Sequence, residues 1–126
     1  MLFWLLAGLA LYLVYVYTPM MLFLPQEGIL ARMGGRDAMP EASVMVGRAR
    51  RALANIQENM LFFLTLGVLA FVVEGADMPL AIKGAMIFVV ARAAYLPAYM
   101  ISIPGLRSLL YMVGLAGNVM MAAALL

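Results

Sequence analysis

Residues 1–24, MLFWLLAGLALYLVYVYTPMMLFL, contain no charged side chain. A helix that crosses the hydrocarbon core of a bilayer needs about 20 mostly apolar residues, and this stretch is long enough. A secretory signal peptide has a positively charged start and a shorter apolar run. We therefore expect residues 1–24 to be retained as the first membrane span, with a kink at Pro19.

Three further apolar stretches follow, and each is bounded by polar or turn-forming residues. We predict these spans at residues 52–73, 78–100 and 106–126. Because short turns join the last three spans, neighbouring helices must run antiparallel. The sequence thus predicts an all-α integral membrane protein, a four-transmembrane-helix antiparallel bundle that forms a single domain over residues 1–126.

A polar stretch, residues 25–51, separates the first span from the second. We interpret it as a cytoplasmic loop followed by a helical extension of the second span. Pro40 and Glu41 suit the first turn of that helix, because proline is favoured at the first helical position and an acid suits the positive end of the dipole. The helix is then expected to continue without a break to Val73.

The composition excludes several classes of protein. Of the 126 residues, 67% are hydrophobic and 11% are charged, whereas a soluble domain has about 45–50% apolar and about 25% charged residues. The chain has no Cys and no His. Disulfides, thiolate metal sites and a cysteine nucleophile are therefore excluded, and we expect no metal site.

The basic residues are concentrated in two of the three connections between spans. Of the eight Lys and Arg residues, the six in these two connections are Arg32, Arg36, Arg48, Arg50, Arg51 and Arg107. Loops rich in Lys and Arg stay on the cytoplasmic side. We therefore expect the two termini to face outward. Because the Met- and Ala-rich composition is typical of a bacterial protein, we expect the membrane to be a bacterial inner membrane and the termini to face the periplasm.

Polar residues inside the spans are costly, and they often mark function. At 100° per residue, one face of the second span carries Arg48, Arg51, Asn55 and Glu58 within an arc of about 80°. The third span presents a similar stripe formed by Arg92, Tyr95 and Tyr99. The fourth presents Arg107, Tyr111, Gly114 and Asn118, with Ser108 beside them. All three stripes lie toward the cytoplasmic end, and this convergence predicts a binding site there.

Structural interpretations of the same residues are also open. Arg51 and Glu58 can form an ion pair with a partner helix. The two tyrosines of the third span can belong to an interfacial aromatic belt. Arg107 can reach anionic headgroups, and the asparagines can form hydrogen bonds between helices. Arg32 can act only as a topology determinant, and the 13 Met residues can be flexible apolar filler.

Two segments resemble a known family. Residues 48–59, RARRALANIQEN, contain a pattern similar to the R-A-x-x-N-x-x-E signature of the MAPEG family, the membrane-associated proteins in eicosanoid and glutathione metabolism. Residues 91–99, ARAAYLPAY, and residues 103–108, IPGLRS, resemble the second conserved block of that family. The resemblance extends over nearly the whole chain.

The resemblance implies a homotrimer that binds glutathione, as cosubstrate, between adjacent protomers near the cytoplasmic face. By this analogy Arg107 stabilises the glutathione thiolate, with Ser108 as the second catalytic residue. The implied glutathione-binding residues are Arg51, Asn55, Glu58, Tyr95, Tyr99, Arg92, Tyr111 and Arg32. Because the chain has no Cys or His, glutathione supplies the thiol, and a nearby guanidinium favours its ionised form.

The function predicted in this way is a glutathione-dependent membrane transferase or peroxidase that attacks lipophilic electrophiles, as in detoxification. The expected partners are a second and third copy of the chain, membrane lipid, glutathione and a lipophilic small molecule, and no nucleic acid. The alternative is a non-catalytic protein of the same fold that binds lipid or glutathione. Asn59 and Ala54, where the pattern departs from family enzymes, keep this alternative open. An exporter of cationic drugs is disfavoured because the first span lacks a carboxylate.

Overall fold

Four helices make up the described part of the protein. The computed structural model describes the backbone of residues 1–33 and 43–126, and the side chains of residues 1–25 and 43–126. The helices are α1 (Leu2–Met33), α2 (Val44–Val72), α3 (Met78–Ile101) and α4 (Leu106–Ala123). The described ranges contain no strand. The predicted fold class, a four-helix membrane bundle, is confirmed.

The outer surface of the bundle is largely apolar. Each of the four helices is long and apolar enough to cross a membrane, and the candidate span in α1 is Leu2–Pro25. Phe3, Val72 and Ile101 are each 70% exposed. Large apolar side chains exposed to this extent would be unfavourable in water, whereas lipid tails are a suitable solvent for them. The protein is an integral membrane protein.

The ends of α1 and α2 differ from the sequence-based boundaries. The polar loop was expected to begin at residue 25, but α1 continues through Pro25 to Met33. Prolines are tolerated inside transmembrane helices because neighbouring groups satisfy the freed carbonyls. Ser43 has non-helical backbone angles and caps α2, since its side chain accepts a hydrogen bond from Val46 N at 3.3 Å. The expectation of an unbroken helix through Ser43 is therefore wrong, and Pro40 and Glu41 lie outside the described residues.

The tightest helix crossing joins α3 and α4, which form the most extensive helix pair of the bundle. A Cβ atom built on Gly84 would lie 2.6 Å from the carbonyl oxygen of Gly117, and the reverse distance is also 2.6 Å. Only glycine allows two backbones to approach this closely. The crossing fixes the two helices against each other at one end of the bundle.

The opposite end of α3 is fixed by α2. Arg48 Nη1 donates a 2.8 Å hydrogen bond to the backbone carbonyl of Met100, one of the carbonyls in the last turn of a helix that lack an intrahelical partner. The chain then reverses through Ser102, whose φ is 63°, and α4 begins at Leu106. Arg48 thus holds the first half of α2 beside the turn between α3 and α4.

Candidate functional site

A cavity of about 400 Å³ lies beside the turn between α3 and α4. Three helices supply its walls, and its lining residues are Asn55, Tyr95, Tyr99, Arg107, Ser108, Tyr111 and Met112. The tyrosines of α3 are one helical turn apart, and so are Arg107 and Tyr111 of α4, so each helix presents one face to the cavity. The cavity is large enough for part of a small organic ligand.

The cavity brings together six of the residues that the sequence singled out. Arg107 and Ser108 were the expected catalytic pair, and Asn55, Tyr95, Tyr99 and Tyr111 were expected to bind glutathione. Met112 was not predicted, because methionines were interpreted as apolar filler. Its spacing of four residues from Ser108, on the same helix face, is the signal that indicates its position.

Arg107 provides a positive charge in the cavity. Its guanidinium carbon lies 4.9 Å from the centroid of the Tyr99 ring, a distance at which a cation is attracted to the π face. No carboxylate among the described residues pairs with it. No side chain caps the N-terminus of α4, so the backbone N–H groups of its first turn also contribute positive potential there.

Arg92 lies behind the cavity wall instead of lining the cavity. Its side chain is fully buried, and its Nη1 donates a 2.6 Å hydrogen bond to Oδ1 of Asn55. The guanidinium carbon lies between 5.1 and 5.5 Å from the ring centroids of Tyr111, Tyr95 and Phe88. Arg92 thus reaches the cavity only through Asn55 and the two tyrosine rings.

Two of the remaining predicted binding residues, Arg51 and Glu58, do not line this cavity. Arg51 and Glu58 are exposed on the outer side of α2. Neither forms an ion pair or a hydrogen bond with another described residue. The side chain of Arg32 lies outside the described residues, although its backbone belongs to α1. Within the described part of one chain, only Asn55 of the three motif residues in α2 reaches the cavity.

Asn59, where the sequence departs from the family pattern, is directed into the bundle. It is 5% exposed, and its Nδ2 donates a 2.9 Å hydrogen bond to the backbone carbonyl of Asn55. Asn118 of α4 approaches the carbonyl of Asn59, with its Nδ2 at 3.5 Å. Asn59 therefore contributes to the contact between α2 and α4, and it is not part of the cavity wall.

The donor set of the cavity suits an anion better than a metal ion. Its lining contains a guanidinium, an amide, hydroxyl groups and a thioether, and it contains no carboxylate. No group of His, Cys, Asp or Glu side chains that could hold a metal ion occurs among the described residues. Guanidinium and hydroxyl donors are the groups that bind carboxylates and stabilise thiolates.

The fold and the site together define a class of protein. It is a four-span α-helical membrane protein with a cavity lined by arginine and tyrosine beside the turn between α3 and α4. A sequence model of the MAPEG family matches residues 1–126. The chain belongs to the MAPEG family, a family of membrane proteins associated with eicosanoid and glutathione metabolism. No curated protein and no solved structure matches the chain.

Proposed function

We propose that the protein is a glutathione-dependent transferase or peroxidase that acts on lipophilic electrophiles from the membrane. The observation that carries the proposal is the position of Arg107, whose guanidinium lies in the cavity without a carboxylate partner among the described residues. A positive charge within a few Å favours the ionised form of a thiol and lowers its pKa.

The residues around Arg107 have complementary roles in this proposal. The hydroxyl of Ser108, the next residue along α4, donates a hydrogen bond to the thiolate. The rings of Tyr95, Tyr99 and Tyr111 cover the tripeptide, and Asn55 binds one of its polar groups. The thiol proton leaves to solvent, so the sulfur retains the electron pair with which it attacks.

Two reactions follow from such a thiolate. In a transfer reaction the sulfur forms a bond to an electrophilic carbon, and the leaving group departs with its electron pair or the electron pair shifts into a conjugated acceptor. In a peroxidase reaction the sulfur attacks the O–O bond of a hydroperoxide and releases an alcohol. A second glutathione then reduces the oxidised sulfur, which yields glutathione disulfide and water.

The proposed assembly is a homotrimer with its site near the cytoplasmic face. The trimer comes from the family resemblance, and the exposure of Arg51 and Glu58 supports contact with another copy. Phe62, on the same face of α2, is 61% exposed. A neighbouring protomer seated there would place Arg51 and Glu58 beside bound glutathione, because one chain alone does not bring them to its own cavity.

A non-catalytic protein that binds glutathione or lipid is the second candidate. The observation that favours it is that only Asn55 of the three motif residues in α2 lines the cavity. In this case glutathione binds, but its thiol is not activated. The two candidates differ in chemistry rather than in fold.

Turnover by protein purified in detergent distinguishes the two candidates. Wild type is assayed with glutathione and an activated aryl halide, and separately with an organic hydroperoxide. We expect conjugate or glutathione disulfide to form at a rate that saturates with glutathione and collapses in Arg107→Ala. Arg50→Ala is the matched control, because Arg50 lies over the ring of Phe23, with its guanidinium carbon 5.7 Å from the centroid, and does not line the cavity. Saturable binding without turnover of either substrate would favour the non-catalytic candidate.

A further inference from the structure

The hydrogen bond between Arg92 and Asn55 fixes which atom of the Asn55 amide faces Arg92. A guanidinium has only donors, so the atom of Asn55 that lies 2.6 Å from Arg92 Nη1 must be the acceptor Oδ1. The Nδ2 group is then on the other branch of the planar amide. It has no hydrogen-bond partner among the described residues, and Asn55 lines the cavity.

We propose that Arg92 is a positioning residue that locks the Asn55 amide with its Nδ2 donors toward the cavity, so that this wall selects a ligand group with an acceptor oxygen. A carboxylate or a peptide carbonyl meets this requirement, whereas an ammonium group does not. The part of the proposal that concerns the ligand rests on the proposed function. The orientation of the amide does not.

Arg92 is held in place from several sides, as a positioning residue must be. The rings of Phe88, Tyr95 and Tyr111 surround its guanidinium. On α4, a Cβ atom at Gly114 would lie 3.1 Å from Nε of Arg92, so the absence of a side chain there makes room for the guanidinium. The backbone carbonyl of Arg92 accepts a 2.7 Å hydrogen bond from the hydroxyl of Tyr15.

The charge of Arg92 also favours an acceptor at this wall. None of the carboxylates that the structure describes pairs with it, and its Nε and Nη2 atoms are buried without a hydrogen-bond partner. Cation–π contacts with three rings attract the guanidinium but do not neutralise its charge. Arg92 therefore places positive charge behind the Tyr95 and Tyr111 rings, and Arg107 adds a second positive charge beside the Tyr99 ring. All three rings line the cavity.

The orientation of the amide can be tested without any ligand. The chain has three asparagines, Asn55, Asn59 and Asn118, so protein labelled with ¹⁵N-asparagine in detergent micelles gives three side-chain amide pairs in an NMR spectrum. We expect Arg92→Met to narrow the shift difference between the two Asn55 amide protons and to speed their exchange with water. Arg50→Met, the matched control, should leave all three pairs unchanged. An Asn55 pair that is the same in Arg92→Met and wild type would overturn the proposal.

Arg92 is fully buried, so a variant that keeps this side chain is also needed, and Asn55→Asp is that variant. An aspartate at position 55 keeps an acceptor for Arg92 and forms an ion pair with it, so this variant should fold. It removes the donor from the cavity and adds negative charge. Titration calorimetry with glutathione then compares Asn55→Asp with Asn55→Ala.

The two possible orientations of the Asn55 amide, with its donor or its acceptor toward the cavity, predict opposite orders of glutathione affinity for Asn55→Asp and Asn55→Ala. If Nδ2 faces the cavity, both variants bind glutathione about tenfold or more weakly than wild type, and Asn55→Asp is the weaker of the two, as expected for the loss of a hydrogen bond to a charged group. If Asn55→Asp binds glutathione more tightly than Asn55→Ala, the side chain at position 55 accepts a hydrogen bond from the ligand, and the proposal is wrong. Failure of wild type to bind glutathione would contradict the proposed function alone, and the NMR comparison would still decide the orientation.

Discussion

The two ends of the α3–α4 pair are built in opposite ways. At one end Gly84 and Gly117 let the backbones meet, with room for no additional Cβ atom. At the other end Tyr95, Tyr99 and Arg107 are large side chains, and a cavity of about 400 Å³ remains between them. The comparison shows how a simple helix pair makes a site: small residues close one end, and large polar residues hold the other end open.

Among substitutions at the open end, loss of Arg107 should have the largest effect on activity. We expect Arg107→Ala to lower kcat/KM for glutathione-dependent conjugation by about 100-fold or more, the size of effect seen when a donor to a developing anion is removed. Arg107→Lys should retain part of the activity, because it keeps the charge but loses the planar fork. Steady-state kinetics in detergent measures both. Activity of Arg107→Ala equal to that of wild type would show that the cavity does not activate a thiol through this residue.

Filling the closed end should reduce stability more than activity. Gly117→Leu places a side chain against the backbone of α3, and overpacking of this kind costs about 1–3 kcal/mol. A lower thermal unfolding midpoint in detergent is the expected result. Ala116→Leu is the matched control, because Ala116 is exposed on the same helix. Equal midpoints for the two variants would mean that the Gly84–Gly117 crossing is not tightly packed.

Removal of the Tyr15 hydroxyl, which holds the backbone of α3 at Arg92 between the two ends, should have a smaller effect on stability and on glutathione binding. Tyr15→Phe deletes the hydrogen bond to the carbonyl of Arg92, and a hydrogen bond of this kind contributes about 1 kcal/mol. We expect a modest loss of stability, together with weaker glutathione binding because Arg92 is less well held. Tyr17→Phe serves as control, since Tyr17 is 51% exposed. A larger loss in the control than in Tyr15→Phe would contradict this account.

The smallest expected effect is that of Ser108. Ser108→Ala removes one neutral hydrogen-bond donor from the cavity, which corresponds to a roughly three- to tenfold loss in kcat. Glutathione affinity should change little, because the proposed bond forms to the thiolate. Pre-steady-state measurement of the chemical step checks this prediction. A larger defect than that of Arg107→Ala would assign the main catalytic role to the serine instead.

The sequence predicted the four spans and most of the cavity for a physical reason. Apolar length defines a span, and the 100° spacing of helical residues places Tyr95 with Tyr99 and Arg107 with Tyr111 on common faces. The length of a span and the residues that share a helix face are both determined within a single helix. They can therefore be predicted without knowing how the helices pack.

The positions of Arg92 and Arg51 depend on packing between helices, which the spacing of residues within one helix does not predict. Arg92 shares a face with Tyr95, yet the bundle buries it behind the cavity. Arg51 and Asn55 share an arc of α2, yet only Asn55 reaches the cavity. The end of α1 was also missed, because Pro25 was interpreted as the start of a loop although the helix continues to Met33.

The central claim is that Arg107 generates a thiolate, and ultraviolet absorption tests it most directly. Wild type in detergent near neutral pH is titrated with glutathione while the thiolate band is recorded, and Arg107→Ala and Arg50→Ala are measured in parallel. We predict a saturable band in wild type and Arg50→Ala that is absent in Arg107→Ala although glutathione still binds. A band of equal size in Arg107→Ala, or glutathione bound to wild type without any band, would contradict the claim.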